Sequence, residues 1–198
     1  MYRRFIRLAL LLAALLGTAI APPGIADDSA VWRERIRPGH RERIQRLRDA
    51  WREGLEPVPA IDAVFYGQLL NPNAALPDPR PQPGLYRCRN VKLNGVKDLV
   101  SYQWFTCRVD LNPDGHPVMT KISGSQRPAV TLYPDDDSRM VFLGGIGLGD
   151  DTGYSEYGDD PDRDQYGVFQ RIGPGRYRLV QPFPPSVHTL VVWELEKT

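Results

Sequence analysis

The sequence predicts a mainly β protein, an eight-stranded antiparallel barrel preceded by a helical hairpin. Three observations lead to this fold class. From Gly84 onward, short runs of alternating apolar and polar residues are broken by Gly, Pro, Asn and Asp, as in closely spaced strands. Two segments with helical apolar spacing precede them. A proline-rich stretch lies between the two parts and suits neither a helix nor a sheet, because proline lacks the backbone donor.

The alternating runs in the barrel domain, residues 84–198, predict strands at 84–93, 100–111, 117–124, 126–133, 139–147, 165–172, 175–182 and 187–196. Turn sequences such as Asn94-Gly95 separate them. The run GGIGLG, Gly144 to Gly149, superficially matches a dinucleotide-binding loop, which must be followed by a helix. An acidic loop follows here instead, so we expect a strand that another backbone segment approaches closely.

Residues 27–70 are predicted to form the helical hairpin. Spacings of three and four in PGHRERIQRLRDAWREGLE place on one helix face Ile44, Leu47, Trp51 and Leu55. A second helix at 60–70 has an apolar face of Ile61, Val64, Phe65 and Leu69. Both helices are expected to dock on an apolar surface. Residues 71–83, NPNAALPDPRPQP, are predicted to be an extended linker or strap.

Residues 1–26 have the features of a cleavable signal peptide. Arg3, Arg4 and Arg7 precede an apolar run from Leu8 to Ala21, and Gly24-Ile25-Ala26 is the expected cleavage triplet. The run is shorter than the ~20 residues of a membrane-spanning helix, and no later segment approaches that length. We therefore expect a periplasmic or secreted protein without a transmembrane segment in the mature chain.

The charge balance of the mature chain argues against nucleic acid as a partner. The full chain has 25 Lys and Arg against 24 Asp and Glu, and three of the arginines lie in the predicted signal peptide. A slightly acidic mature chain lacks the concentrated basic charge that phosphate backbones and anionic membranes attract.

The two cysteines, Cys88 and Cys107, are expected to form a disulfide in an oxidising compartment, since both lie in predicted strands. Two free thiols or a metal pair are the alternatives. Three histidines are scattered over a helix start, a turn and a strand, without the clustering that a zinc site requires. We identify no metal site, no cofactor and no catalytic motif.

The long loop GDDTGYSEYGDDPDRD is the most acidic segment of the chain. Asp160, Asp162 and Asp164 alternate like the first ligands of a helix-loop-helix calcium site, but Gln165 and Arg171 occupy its diagnostic positions. We expect a solvated loop in which two arginines compensate the acids. The resulting candidate loop site comprises Arg127, Asp160, Asp162, Arg163 and Asp164. An irregular calcium site is the alternative.

Aromatic residues recur along the predicted strands. Since inward positions alternate in a barrel, they either fill its core or line a ligand cup, and core filling is the commoner outcome. The candidate lining residues are Tyr86, Trp104, Phe142, Tyr177 and Trp193.

Five strings are distinctive: PGLYRCRNVKL, YQWFTCRV, ISGSQRPAVTLYPDDDSRMVFLG, YGDDPDRDQYGVFQRIGPGRYRLVQPFP and the closing VVWELE. Together they resemble an exported bacterial family of unknown function, domain-of-unknown-function family 4893, from Trp32 through nearly all of the chain after Asn71. This resemblance implies no activity, ligand or catalytic residue. More distantly, the Gly-x-Tyr opening strand, the cysteine-tied hairpin and the closing strand are similar to lipocalin-like barrels.

These features favour a non-enzymatic binding protein for a small apolar molecule in the barrel or for a protein partner. One alternative is a hydrolase or lyase that uses the acidic loop, which predicts carboxylates facing a cleft. Another is an envelope scaffold without a ligand, which predicts a filled barrel and an exposed apolar patch.

Overall fold

The computed structural model describes residues 29–198, and the predicted signal peptide lies outside them. Its strands are Gly84–Leu93 (β1), Leu99–Ser101 (β2), Phe105–Leu111 (β3), Pro117–Lys121 (β4), Gln126–Asp136 (β5), Arg139–Leu148 (β6), Gln165–Gly173 (β7), Arg176–Pro182 (β8) and Leu190–Lys197 (β9). Each pairs antiparallel with its neighbour, and β9 returns to β1. The predicted eight-stranded antiparallel barrel is therefore confirmed.

One predicted strand, at 100–111, is divided in the structure. Its two pieces, β2 and β3, follow each other along the same edge of β1, where Val91 faces Ser101 and Cys88 faces Phe105. Residues 102–104 lie between the pieces and outside the ladder. The two pieces together therefore fill one of the eight places around the barrel.

Alternation along the strands creates two apolar cores. Residues that point inward fill the barrel interior, among them the side chains of Leu132, Phe169 and Leu179. Residues that point outward from β1 and from β5 to β9, such as Val141 and Val192, form a second core with the N-terminal helices. The barrel wall is thus buried on both sides where the helices cover it.

The helices are Ser29–Arg35 (α1), Pro38–Gln45 (α2), Leu47–Leu55 (α3) and Ala60–Tyr66 (α4), with a 3₁₀ turn at Gly67–Leu69. The first predicted helix is interrupted at Arg46, which has φ −89° and ψ 19° and separates α2 from α3. Ile44 and Trp51 are buried against the barrel as the apolar spacing predicts. None of the helices described within residues 29–198 is long and apolar enough to cross a membrane.

The predicted docking face of the second helix is wrong for most of its length. Ile61, Val64 and Phe65 on α4 are 75%, 75% and 78% exposed, while Leu69 in the following 3₁₀ turn is fully buried. α4 packs on the core between helices and barrel through Ala63 and Tyr66, so its other face points to solvent. The chain then turns at Gly67, whose φ is +52°.

Residues 71–83 run as an extended strap past one end of the barrel. The Leu76 amide donates to the Arg171 carbonyl at 2.9 Å, and the Asp78 amide donates to the Asp137 carbonyl at 2.9 Å. Further along, the Tyr86 hydroxyl donates to the Gln82 carbonyl at 2.6 Å. Backbone donors and acceptors that the prolines leave available are used to hold this segment on the barrel.

Cys88 and Cys107 form the expected disulfide. They lie on the neighbouring strands β1 and β3 with their Cα atoms 5.8 Å apart, and both are completely buried in the barrel interior. The bond joins residues separated by 19 positions. Closing a loop of this length contributes about 3 kcal/mol to stability in the chain-entropy model.

Candidate functional site

The barrel interior is occupied by side chains. Tyr86, Phe142, Tyr177 and Trp193, four of the five candidate lining residues, are buried there in one apolar cluster with the disulfide. Aromatic rings contact one another across it, since the ring centroids of Tyr177 and Phe169 lie 5.4 Å apart. Tyr86, Phe142 and Tyr177 serve as core filling in the middle of the barrel. Trp193 lies nearer the barrel end and also lines a cavity there.

The fifth candidate, Trp104, lies outside the barrel, which corrects its prediction as a lining residue. Its ring centroid lies 4.4 Å from the Arg87 guanidinium carbon and 4.5 Å from that of Arg89. The side chains of both arginines lie on the outer face of β1, away from the barrel interior. Trp104 does not occupy an inward-facing strand position, because the chain leaves the ladder between β2 and β3.

The candidate loop site does not assemble as predicted. Arg163 does pair with Asp160 at 3.4 Å, but its closest carboxylate is that of Asp151 at 2.6 Å. The expected carboxylate pairing of Arg127 is wrong, because its guanidinium donates to the backbone carbonyls of Gly149 and Asp151, both at 2.8 Å. The start of the loop curls around Arg127, while the aspartate trio lies near the loop's other end.

Asp164 is separated from the other two acids by burial. Its side chain is fully buried, accepts the Gly158 amide at 2.7 Å and pairs with Arg37 at 3.2 Å. Asp160 is partly exposed, and Asp162 is exposed. The three acids therefore face different surroundings and do not converge on one cleft.

Asp164 belongs to a polar cluster that joins the loop to α2. Tyr157 lies at 2.8 Å from His40 Nδ1 through its hydroxyl, and the His40 ring stacks on Tyr166 at 3.9 Å between centroids. Arg43 donates to the Tyr166 hydroxyl at 2.6 Å. Desolvation lowers the pKa of His40 and raises the pKa of both tyrosines. The cluster fastens the loop and helices together, and sequence analysis did not identify it.

The GGIGLG run lies on β6 as expected, except for its last residue, Gly149, which follows the strand. The acidic loop contacts the glycines of this run closely. A Cβ on Gly145 would lie 1.9 Å from the Ser155 carbonyl oxygen, and one on Gly147 would lie 2.4 Å from that of Gly153. The acidic loop thus folds back over the outer face of β6. Glycine is required there because any side chain would displace the loop backbone.

A groove of about 1030 Å³ lies between α1–α3 and the outer barrel wall. We call it the basic groove. Its apolar wall is built from Trp32, Ile44 and Trp51, which are nearly buried. Its polar wall contains Arg33, Arg41, Arg48, Arg52 and Arg139.

Five arginines face two aspartates in this groove, Asp49 and Asp135. Both acids are already engaged, since Asp49 pairs with Arg52 at 3.0 Å and Asp135 pairs with Arg139 at 2.7 Å. Arg48 is exposed and forms no ion pair or hydrogen bond within residues 31–198. Arg52 and Arg139 also pair with acids beside the groove, Glu53 at 3.3 Å and Asp136 at 3.1 Å. With these two acids included, the arginines of the groove still outnumber the acids by five to four, and Arg48 is the one without a partner among the described residues.

Two buried donors of the basic groove lack acceptors in the described part of the chain: Trp32 Nε1 and Arg41 Nε. Buried donors are normally hydrogen-bonded, and an unsatisfied one costs about 1–3 kcal/mol. The basic groove therefore has unsatisfied hydrogen-bond donors as well as more positive than negative side chains. Among the residues described, no group of three His, Cys, Asp or Glu side chains is placed to hold a metal ion.

Sequence analysis missed the basic groove because its arginines come from four elements: three helices and one strand. The helices supply most of them, and the β5–β6 hairpin supplies Arg139 and Asp135. The available signal was the high arginine content of the polar helix positions around Ile44 and Trp51. That pattern is also typical of an ordinary solvated helix face.

The protein is thus a closed antiparallel barrel with short arginine-rich helices on its outer wall, and the basic groove lies between the helices and the barrel. The chain belongs to the domain of unknown function family DUF4893, whose model matches residues 32–195. This match confirms the resemblance inferred from the sequence strings. Neither a curated protein nor a solved structure matches the chain significantly.

Proposed function

We propose that this is an exported binding protein that holds an acidic segment of a partner protein in the basic groove. The observation that carries the proposal is the combination of five arginines against two aspartates with a wall of tryptophan and aliphatic side chains. Arginine offers planar, multidentate donors to carboxylates, and the apolar wall can pack side chains that alternate with the acids.

The groove has the dimensions of a ligand site. Its volume of about 1030 Å³ lies at the upper end of the range for small-molecule pockets. The groove is open to solvent along the helices, and this shape suits a peptide segment. Each exposed arginine–carboxylate contact contributes only about 0.2–1 kcal/mol. Affinity would therefore depend on several such contacts together and decrease with added salt.

Binding of an apolar molecule inside the barrel has less support. The interior is filled by the aromatic cluster around Phe142 and Tyr177. A hydrolase or lyase built on the acidic loop also has less support, because Asp160 pairs with Arg163 and Asp164 pairs with Arg37. A reaction centre would need these acids to face a common substrate position.

Export is part of the proposal and rests on two features. The arginines and apolar run at residues 1–21 have the order of a signal peptide. The buried Cys88–Cys107 disulfide suits an oxidising compartment. Detection of the mature chain, beginning near Asp27, in the periplasm or the medium would test it.

The scaffold alternative predicted an exposed apolar patch, and the α4 face of Ile61, Val64 and Phe65 is one.

The groove can be tested with two synthetic peptides, one in which Glu alternates with Leu and one in which Gln replaces every Glu. We expect calorimetric binding of the Glu peptide that weakens steeply with added salt, and no measurable binding of the Gln peptide. Arg48→Glu should weaken binding about tenfold, since it replaces an attraction by a repulsion. Lys97→Glu, the same charge change in an exposed turn outside the groove, is the matched control.

Equal affinity for the two peptides would contradict the proposal, as would an Arg48→Glu variant that binds like the Lys97→Glu control. Because Arg48 is exposed, its replacement should leave the melting temperature nearly unchanged. Loss of binding can therefore be separated from loss of folding.

A further inference from the structure

The barrel end opposite the strap contains a second cavity, of about 190 Å³, which we call the barrel mouth. Inward-facing side chains of β1 and β5 to β9 line it, and the β8–β9 loop at Pro184 and Pro185 partly covers it. The strap closes the other end. The barrel mouth is thus the interior space that faces the solvent.

Four amide side chains line the barrel mouth: Asn90, Gln126, Gln165 and Gln181. Each amide offers both donors and an acceptor. Asn90 and Gln181 are only 6% and 4% exposed, although inward positions of a barrel are normally apolar. Amides concentrated at such positions require hydrogen-bonding partners.

Gln181 provides an independent sign of a missing partner. Its Nε2 is buried and has no hydrogen-bond acceptor within the described residues. The side chain lines the cavity, so a molecule in the barrel mouth could accept this hydrogen bond. An unsatisfied buried amide is destabilising, and native proteins retain few of them.

The remaining lining restricts the chemistry of the occupant. Val191 and Trp193 are nearly buried and provide an apolar and aromatic wall beside the amides. Lys92 and Asp162 contribute one charge of each sign. This lining suits a neutral molecule that combines hydroxyl or amide groups with a small apolar face.

We infer that the barrel mouth binds a neutral, hydroxyl-rich molecule no larger than a monosaccharide. The cavity has the volume of about six water molecules at ~30 Å³ each, which sets the size limit. Gln181 Nε2 donates to a ligand hydroxyl, and one face of the ligand packs on Trp193. The site is independent of the basic groove, so its failure or success does not depend on the proposed function.

The inference can be tested by titrating the full mature protein with D-glucose and D-ribose while recording the side-chain amide signals by NMR. Gluconate and benzene serve as charged and apolar comparisons. We expect at least one of the two sugars to shift the Gln181 amide signals saturably. Gluconate and benzene should shift them at least tenfold more weakly.

Two variants test whether the sugar binds beside Gln181. Gln181→Leu removes the donor and should weaken sugar binding at least tenfold, as measured by calorimetry. Gln103→Leu makes the same change at an exposed position between β2 and β3 and should bind like the parent. The parent titration decides the matter even if Gln181→Leu folds poorly. Absence of a shift with both sugars, tighter binding of benzene, or unchanged binding by Gln181→Leu would overturn the inference.

Discussion

The guanidinium carbon of Arg178 lies 4.8 Å from the ring centroid of Trp51. This contact joins the outer face of β8 to α3, and Arg178 is completely buried. Its guanidinium also donates to the carbonyls of Leu69 at 3.0 Å and Asn71 at 2.7 Å. One arginine therefore connects the barrel wall, the helices and the beginning of the strap.

Replacement of Arg178 by methionine is expected to destabilise the protein by about 3 kcal/mol or more. No carboxylate pairs with Arg178 within the described part of the chain, so the loss comes from carbonyl acceptors that stay buried without a donor. Urea unfolding would measure the change. Arg108→Met, at an exposed β3 position, should shift the free energy of unfolding by less than ~0.5 kcal/mol. Similar effects for both variants would show that Arg178 does not anchor the helices.

Trp51→Ala should cost about 3–5 kcal/mol, because it removes a buried indole from the core between α3 and the barrel. The measurement is again the free energy of unfolding, with Phe65→Ala as the control. Phe65 is 78% exposed, so its truncation should have little effect. A Trp51→Ala variant that melts like the parent would show that the helices are not docked in solution.

The alternation of residues in the strands predicted the barrel because each strand contacts its neighbour in sequence. Local turns are enough to specify such a topology. The same local reasoning was wrong for Trp104, where the ladder is interrupted, and for Phe65, which lies on the solvent face of α4 while Ala63 and Tyr66 contact the core. Which face of a short helix is buried depends on how the chain places that helix on the barrel.

The candidate sites were harder to predict because they depend on distant contacts. Asp164 is paired by Arg37, far away in sequence, and Asp135 in the basic groove is reached from both a helix and a hairpin. The clustered aspartates predicted that arginines would pair with them, and Asp160 does pair with Arg163. The sequence alone did not specify which arginine the fold brings to each aspartate.

A buried lysine should make stability depend on pH. Lys121 is 2% exposed, donates to the Gln126 carbonyl at 2.7 Å and lies 3.8 Å from the Phe105 ring centroid. Desolvation, with a smaller effect from Arg127, lowers its pKa to about 8. Between about pH 8 and the ordinary lysine pKa of ~10.4, the unfolded chain binds a proton that the folded chain does not.

The free energy of unfolding should therefore rise with pH across this window relative to that of Lys121→Met. The relative gain is expected to reach about 3 kcal/mol, at ~1.36 kcal/mol for each unit of pKa shift. Urea unfolding of both proteins at several pH values between 7 and 10.5 would measure it. Lys97→Met removes a lysine at an exposed turn, so its difference from the parent should not change with pH in this way. A parent–variant difference that stays constant with pH would contradict the prediction.

The pKa of Asp151 should show whether the acidic loop is held in its folded position. Its carboxylate accepts the Leu148 amide at 2.8 Å and the Arg163 guanidinium at 2.6 Å. These two hydrogen bonds, the Leu148 amide first, lower the pKa of Asp151 below its ordinary value. Since the folded pKa is lowered, the stabilising contribution is present above the unfolded value of ~3.9 and disappears as pH falls through the folded value.

An NMR titration of the aspartate carboxyl carbons should therefore give Asp151 a midpoint below ~3.9 in the parent protein. Arg163→Gln removes one of the two favourable partners, so the midpoint should rise while staying below ~3.9, because the Leu148 amide still donates. Arg108→Gln changes an arginine on β3 that pairs with Asp110 and should leave the Asp151 midpoint unchanged. An ordinary or raised midpoint in the parent would mean that the loop does not close on Asp151 in solution. The acids would then be available for the catalytic alternative that the folded loop disfavours.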